Sequence, residues 1–117
     1  MKRLHILYTL LFILLLPVTS NGQPAGKEKL RIISYNIWNG FEHNAHRRAN
    51  FIDWIKGQQP DILAMTELVG FTEKNLGQLA SEYGHKYYAI VKEEGYPVGI
   101  TSNEPITVVK KQVEGFW

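Results

Sequence analysis

The sequence predicts an α/β fold, and three observations carry that reading. Residues 30–40, LRIISYNIWNG, form an apolar, β-branched run closed by Asn39-Gly40, a strong turn signal. Residues 44–56 repeat apolar side chains at helical spacing. Residues 61–67, DILAMTE, are a second short apolar run bounded by turn chemistry. A strand, a helix and a strand within about forty residues make a βαβ-like unit, which puts the two strands in one sheet.

The chain begins with a different kind of segment. Lys2 and Arg3 precede an apolar run over residues 6–18, and Thr19, Ser20, Asn21 and Gly22 follow it. That order reads as a secretory signal peptide over residues 1–22, with an uncleaved membrane anchor as the alternative; the run is short for a span. The expected location is secreted or periplasmic, with no stable membrane span once the signal is removed. No cysteine occurs in the 117 residues, which excludes both a lipid anchor on an N-terminal cysteine and a disulfide framework. Of the 13 Lys and Arg side chains two leave with the signal and none of the 11 Asp and Glu do, so the mature chain balances at 11 against 11. The basic excess belongs to the leader. No polybasic stripe remains to suggest an electrostatic nucleic-acid binder, and no protein partner is evident.

Residues 23–29, QPAGKEK, are a polar linker, and the domain is expected over residues 30–117. The first strand is read as buried, with Asn36 close to its end. A loop over residues 41–44 follows, and Asn44 can cap a helix whose inner face carries Ala45, Ala49, Ile52 and Ile55 with Phe51 beside them. Gly57 is expected to end it. After the second strand, residues 72–83 read as a helix with Leu76, Leu79, Ala80 and Tyr83 on one face and Gly84 as its C-terminal cap. Residues 87–91 and 98–102 read as strands around a Glu93-Glu94-Gly95 turn, and residues 106–112 as an exposed edge strand blunted by Lys110 and Lys111.

Two residues stand out chemically. Asn36 and Glu67 fall at the carboxyl ends of neighbouring strands, where open α/β sheets gather ligands. An amide at Asn36 suits holding a phosphate or a metal-bound water, or else satisfies its own turn. Glu67 closes an apolar run, so its carboxylate is exposed, paired or on a metal. His43 and His46 read as solvated, His85 as a surface residue after a helix cap, and Tyr35 as core. Trp38 is a candidate wall of a cleft, and Phe41 with His43 could form a loop over substrate.

The order SYNIWNG, then QPDILAMTEL, then YPVGITSNEPI resembles the N-terminal part of the endonuclease/exonuclease/phosphatase superfamily of magnesium-dependent phosphoesterases. Asn36 matches its first motif, and Pro60, Asp61, Ile62, Leu63 and Glu67 match its second. Gly99, Ile100, Ser102, Pro105 and Ile106 match the third loosely. Thr66 stands where the family usually has Gln, and Asn103 where it has a basic residue. The resemblance implies a four-layer sandwich of two mixed β-sheets flanked by helices, of which about the first half is present. It implies Mg2+ or Mn2+ as cofactor, Glu67 as the metal carboxylate, and Asn36 as a metal or phosphate ligand. A hard cation held by one or two carboxylates and several waters suits that pair.

The superfamily's later motifs are absent: a T-H strand, a G-D-x-N strand and a final Asp-His. The chain is therefore expected to be the N-terminal piece of a longer secreted phosphoesterase, inactive alone, acting on nucleic acid, phospholipid or a small phosphodiester. A secreted non-catalytic binding module on the same scaffold is the alternative, and a small stand-alone α/β domain a third.

Overall fold

The computed structural model describes residues 29–114; the expected signal peptide over residues 1–22, nearly all of the expected linker and the last three residues lie outside them. Four strands form one mixed sheet: β1 (Ile32–Asn36), β2 (Ile62–Thr66), β3 (Tyr87–Ile90) and β4 (Gly99–Ser102), in the order β1-β2-β4-β3. Two helices, α1 (Ala45–Gln58) and α2 (Glu73–Glu82), cover one face. The expected βαβ unit is present, with β1 parallel to β2 and Asn36 opposite Thr66. β4 runs antiparallel to both β2 and β3.

Local chemistry explains both helices. Asn44 caps α1 by accepting from the His46 and Arg47 amides at 3.0 Å each, which satisfies N–H groups that have no partner within the helix. Thr72 caps α2 in a reciprocal box with Asn75. Gly57 does not end α1. The helix runs on to Gln58, and Gln59 adopts the left-handed conformation that closes it, its amide bonding the Ile55 carbonyl. Gly84, at φ +92, follows α2 as expected.

The core lies between the helices and the sheet. Phe51, Ile52 and Ile55 of α1, Leu76 and Leu79 of α2, and Leu63, Met65 and Ile90 of the sheet are all buried there, each contributing about 1.5–3 kcal/mol by its removal from water. Gly99 allows this close approach: a Cβ on it would fall 2.7 Å from Leu68 Cδ1. Ala45 and Ala49 are exposed rather than packed, because the inner face of α1 is set by its larger aromatic and branched residues. Arg48 and Glu82 pair between the two helices.

Several expectations are corrected. β1 is an edge strand and mostly exposed, not buried; Ile32 is 60% exposed. Tyr35 is half-exposed at 37% instead of core. Residues 106–112 form no strand and run as irregular backbone beside the helix-free face, enclosing with Ala64, Ala89 and Ile100 an apolar cavity of about 520 Å3. Lys111 reaches Glu73 at 3.5 Å. His85 is buried, at 4% exposure. Its Nε2 donates to the Pro60 carbonyl at 2.8 Å, and Nδ1 lies 2.8 Å from the Thr101 hydroxyl, which Tyr83 also contacts at 3.1 Å. A carbonyl can only accept, so Nε2 carries a proton. His85 thus ties the end of α2 to the start of β2.

Candidate active site

Asn36 and Glu67, 31 residues apart, meet at the carboxyl ends of β1 and β2. The parallel register brings them together: Asn36 pairs with Thr66, so Glu67 is the next residue beyond its partner. Asn36 Nδ2 donates to Glu67 Oε1 at 2.9 Å, and the Asn39 amide donates to Glu67 Oε2 at 3.0 Å. The carboxylate is therefore gripped on both oxygens. Asn36 Oδ1 accepts from the Trp38 amide at 2.8 Å, which fixes the orientation of its side-chain amide. These donors hold the Glu67 carboxyl below its ordinary pKa, the Asn36 contact being the larger cause and the Asn39 amide the second, against a smaller opposing effect of burial.

The backbone around the pair is unusual. Trp38, Asn39, Gly40, Phe41, Glu42 and His43 all have positive φ, and residues Trp38–Phe41 make a single left-handed helical turn. Such backbone costs an L-residue about 1–2 kcal/mol each, and only Gly and Asn adopt it readily. The turn is held by what surrounds it. Gly40 N donates to the Glu67 carbonyl at 2.8 Å, Phe41 N to Ile37 O at 3.1 Å and Asn44 N to Phe41 O at 2.9 Å. Phe41 plugs into the core against Phe51 at 5.1 Å and Phe71 at 6.3 Å. Glu67 itself has φ +58. Gly40 is obligatory, since a Cβ there would lie 2.1 Å from the Val69 carbonyl oxygen.

The remaining candidates separate by position. Tyr35 and Trp38 share with Asn36 the lining of a cavity of about 480 Å3, to which Arg47, Asn50 and Trp54 contribute from α1. No imidazole lines it. His43 borders a different hollow with Gly40 and Arg48, His46 contacts Asn50 at 3.1 Å, and His85 is committed to the core. Asn103 lies at the opposite end of the sheet: β4 is antiparallel to β2, so Ser102 pairs with Ile62, and Asn103 N donates to Asp61 O at 3.2 Å. The exchange of a basic residue for Asn103 therefore takes no charge from the Asn36–Glu67 end. Asp61 belongs to that far end too, its Oδ2 accepting from the Arg31 amide at 2.9 Å.

Sequence reasoning missed two contributors. The Asn39 amide bonds Glu67, and the Asn39-Gly40 turn signal marked the place without showing what the turn would hold. Trp54 completes an aromatic wall; its signal is the spacing of Arg47, Asn50 and Trp54, which recur on one face of α1.

As a set of donors, the Glu67 carboxylate and the Asn36 side-chain oxygen are hard oxygen ligands. Among the described residues no group of three or more His, Cys, Asp or Glu could hold a metal ion. One carboxylate with water and substrate oxygens making up the shell is a usual arrangement for Mg2+, so the pair fits such an ion.

The profile of the Endonuclease/Exonuclease/phosphatase family matches residues 33–115, and the chain belongs to that family. Among solved structures, humanized D. rerio TDP2 with 14 mutations resembles it with a TM-score of 0.50 at 22% identity, over 63% of this chain and 30% of that one. An AP endonuclease from Archaeoglobus fulgidus has a TM-score of 0.46 at 28% identity, over 66% of this chain and 28% of that one. The chain spans less than a third of either structure. The TDP2 likeness bears on the fold alone. No curated protein matches the chain.

Proposed function

We propose that this chain is the N-terminal part of an exported, divalent-metal-dependent phosphoesterase, and that Asn36 and Glu67 are its contribution to the catalytic centre. The observation that carries the reading is the clamp on Glu67: a carboxylate at the carboxyl end of a parallel strand pair, oriented by a side-chain amide and a backbone N–H. Membership of the family supports it.

In this reading Glu67 stays ionised and would hold a cation, Mg2+ or Mn2+, through its remaining lone pairs, and the free lone pair of the Asn36 side-chain oxygen would be a second ligand. When bound, the cation supplies Lewis-acid stabilisation of charge on the phosphoryl oxygens. Asn36 keeps the carboxylate in place, and the left-handed turn keeps Asn36 in place through the Trp38 amide. The described residues bring no general base to this pair, so the base and the groups that grip phosphate come from further residues of the full-length protein. Export rests on the leader-like residues 1–22, and it favours a phosphodiester outside the cytoplasm, in nucleic acid, phospholipid or a small molecule.

The test is Glu67→Gln in the full-length protein. Metal-dependent hydrolysis of a generic phosphodiester is expected to fall by several orders of magnitude with the circular-dichroism spectrum preserved, since a Gln carbonyl can still accept from Asn39. Unchanged turnover would sink the assignment.

A further inference from the structure

Beside Asn36, three aromatic side chains are only partly covered. Trp38 is 56% exposed, Trp54 42% and Tyr35 37%, and all three line the same cavity of about 480 Å3. They are held in position. Tyr35 packs at 5.2 Å against both Phe51 and Trp54, with ring planes inclined by 50° and 43°. Trp38 Nε1 donates to Glu42 Oε1 at 3.2 Å, and Arg47 Nη1 holds the other oxygen of that carboxylate at 2.6 Å. The wall also carries polar groups, the Arg47 guanidinium and the Asn50 amide, on the neighbouring helix face.

From this arrangement we propose that the cavity is a subsite for a planar aromatic ring carried on the phosphate ester, a proposal that rests on the phosphoesterase reading above. Fixed, half-exposed indole and phenol rings give stacking surface at small entropic cost. Asn36 belongs both to the cavity wall and to the Glu67 clamp, so a ring seated here lies one residue's width from the carboxyl ends of β1 and β2, where the phosphate of the ester would sit in the phosphoesterase reading. Arg47, its charge paired with Glu42, adds guanidinium N–H donors and a planar stacking face to the wall, which suit a ring heteroatom or a π-face. Asn50 Oδ1 can accept from a ring N–H. The ring could come from a nucleobase or from a simple aryl group, and the affinities of the two separate these sources.

The experiment is a calorimetric titration of the full-length, metal-loaded protein with adenosine monophosphate, phenyl phosphate and glycerol phosphate. Both ring-bearing esters are expected to bind at least about fivefold more tightly than glycerol phosphate, the lower end for one aromatic stack. Tighter binding of the adenosine ester assigns a nucleobase, and equal binding an aryl ring. Trp54→Ala is expected to collapse the ring preference and Trp54→Phe to keep it. Should Trp54→Ala fail to fold, Trp54→Leu, which retains apolar volume without a π-face, carries the same expectation. Equal affinity for all three ligands, or a ring preference untouched in Trp54→Ala and Trp54→Leu, overturns the subsite while hydrolysis of ring-free esters leaves the phosphoesterase reading standing. A protein that hydrolyses no phosphate ester overturns both.

Discussion

Asn36 Nδ2 and Glu67 Oε1 lie 2.9 Å apart across a parallel strand pair, and the Glu67 carboxylate meets the Asn39 amide on its other side. One side chain is thus held by a strand end and by the turn that follows it. Neither hold is local in sequence to Glu67, so the position of the carboxylate depends on the completed β1–β2 pairing.

Acid sensitivity follows from the lowered pKa of Glu67. With its folded pKa below its unfolded value, its stabilising contribution is present above the ordinary carboxylate range and is lost as pH falls through the lowered value. Asn36→Leu removes the larger cause of that shift. The acid limb of the pH–rate profile in the full-length protein is expected to move upward, toward the ordinary carboxylate range, whatever the loss in peak rate. An unmoved limb would show that Asn36 does not tune Glu67.

Replacing Gly40 should be severe. Gly40→Ala puts a Cβ 2.1 Å from a backbone oxygen at φ +63, and a cost of about 3 kcal/mol or more is expected. Asn39→Gly, at φ 46 and ψ 46, should change stability by less than about 1 kcal/mol because glycine enters the left-handed region freely. Urea unfolding of the two variants in the full-length protein gives the comparison, and equal midpoints would contradict the left-handed turn.

His85→Leu strips the buried Pro60 carbonyl and Thr101 hydroxyl of their 2.8 Å partner, leaving them only Asn103 Nδ2 at 3.5 Å and the Tyr83 hydroxyl at 3.1 Å, and about 1–3 kcal/mol of stability is expected to go. The same network has an alkaline signature. Burial, only partly offset by the Thr101 contact, pushes Tyr83 up to about 12. Because its folded pKa is raised, the neutral phenol's stabilisation is full below the unfolded pKa and is lost as pH rises from there through about 12, in all roughly 2–3 kcal/mol before allowance for its partial exposure. Ultraviolet titration of phenolate should find one tyrosine ionising after the rest, and Thr101→Val should delay it further.

The helix-free face of the sheet carries a solubility prediction. Ile32, Val98 and Val108 are exposed around it, and apolar area of this kind calls for a covering layer. Residues 23–117 expressed alone are expected to bind anilinonaphthalene sulfonate and to unfold over a broad range. A sharp thermal transition without dye binding would show that the face is stable in water.

Elements governed by near neighbours were legible in the sequence. The cap at Asn44 was visible because the amides it satisfies lie within three positions of it, whereas Thr72 was read as the first residue of its helix and not as the cap it is. The βαβ pattern and the opposition of Asn36 and Glu67 were visible because a parallel pair with one crossover has few alternatives. What escaped depended on distant chain. The edge position of β1 follows from β4 inserting beside β2, which no local pattern of β1 encodes. His85 looked like a surface histidine because its two hydrogen-bond partners, at positions 60 and 101, come from distant segments. Residues 106–112 had strand-like composition, but β3 already occupies the edge beside β4.

At the end of the sheet away from Glu67, Arg31 and Asp61 exchange backbone and side-chain hydrogen bonds at 2.8 and 2.9 Å. This lock sets the register along all five paired residues of β1 and β2. A slip of one residue would carry Asn36 about 3.3 Å along the strand and turn its side chain to the opposite face. The Asp61 latch therefore works as a gauge stop: a chain that closes in the wrong notch never brings Asn36 to Glu67, and their contact doubles as an inspection mark for correct strand assembly.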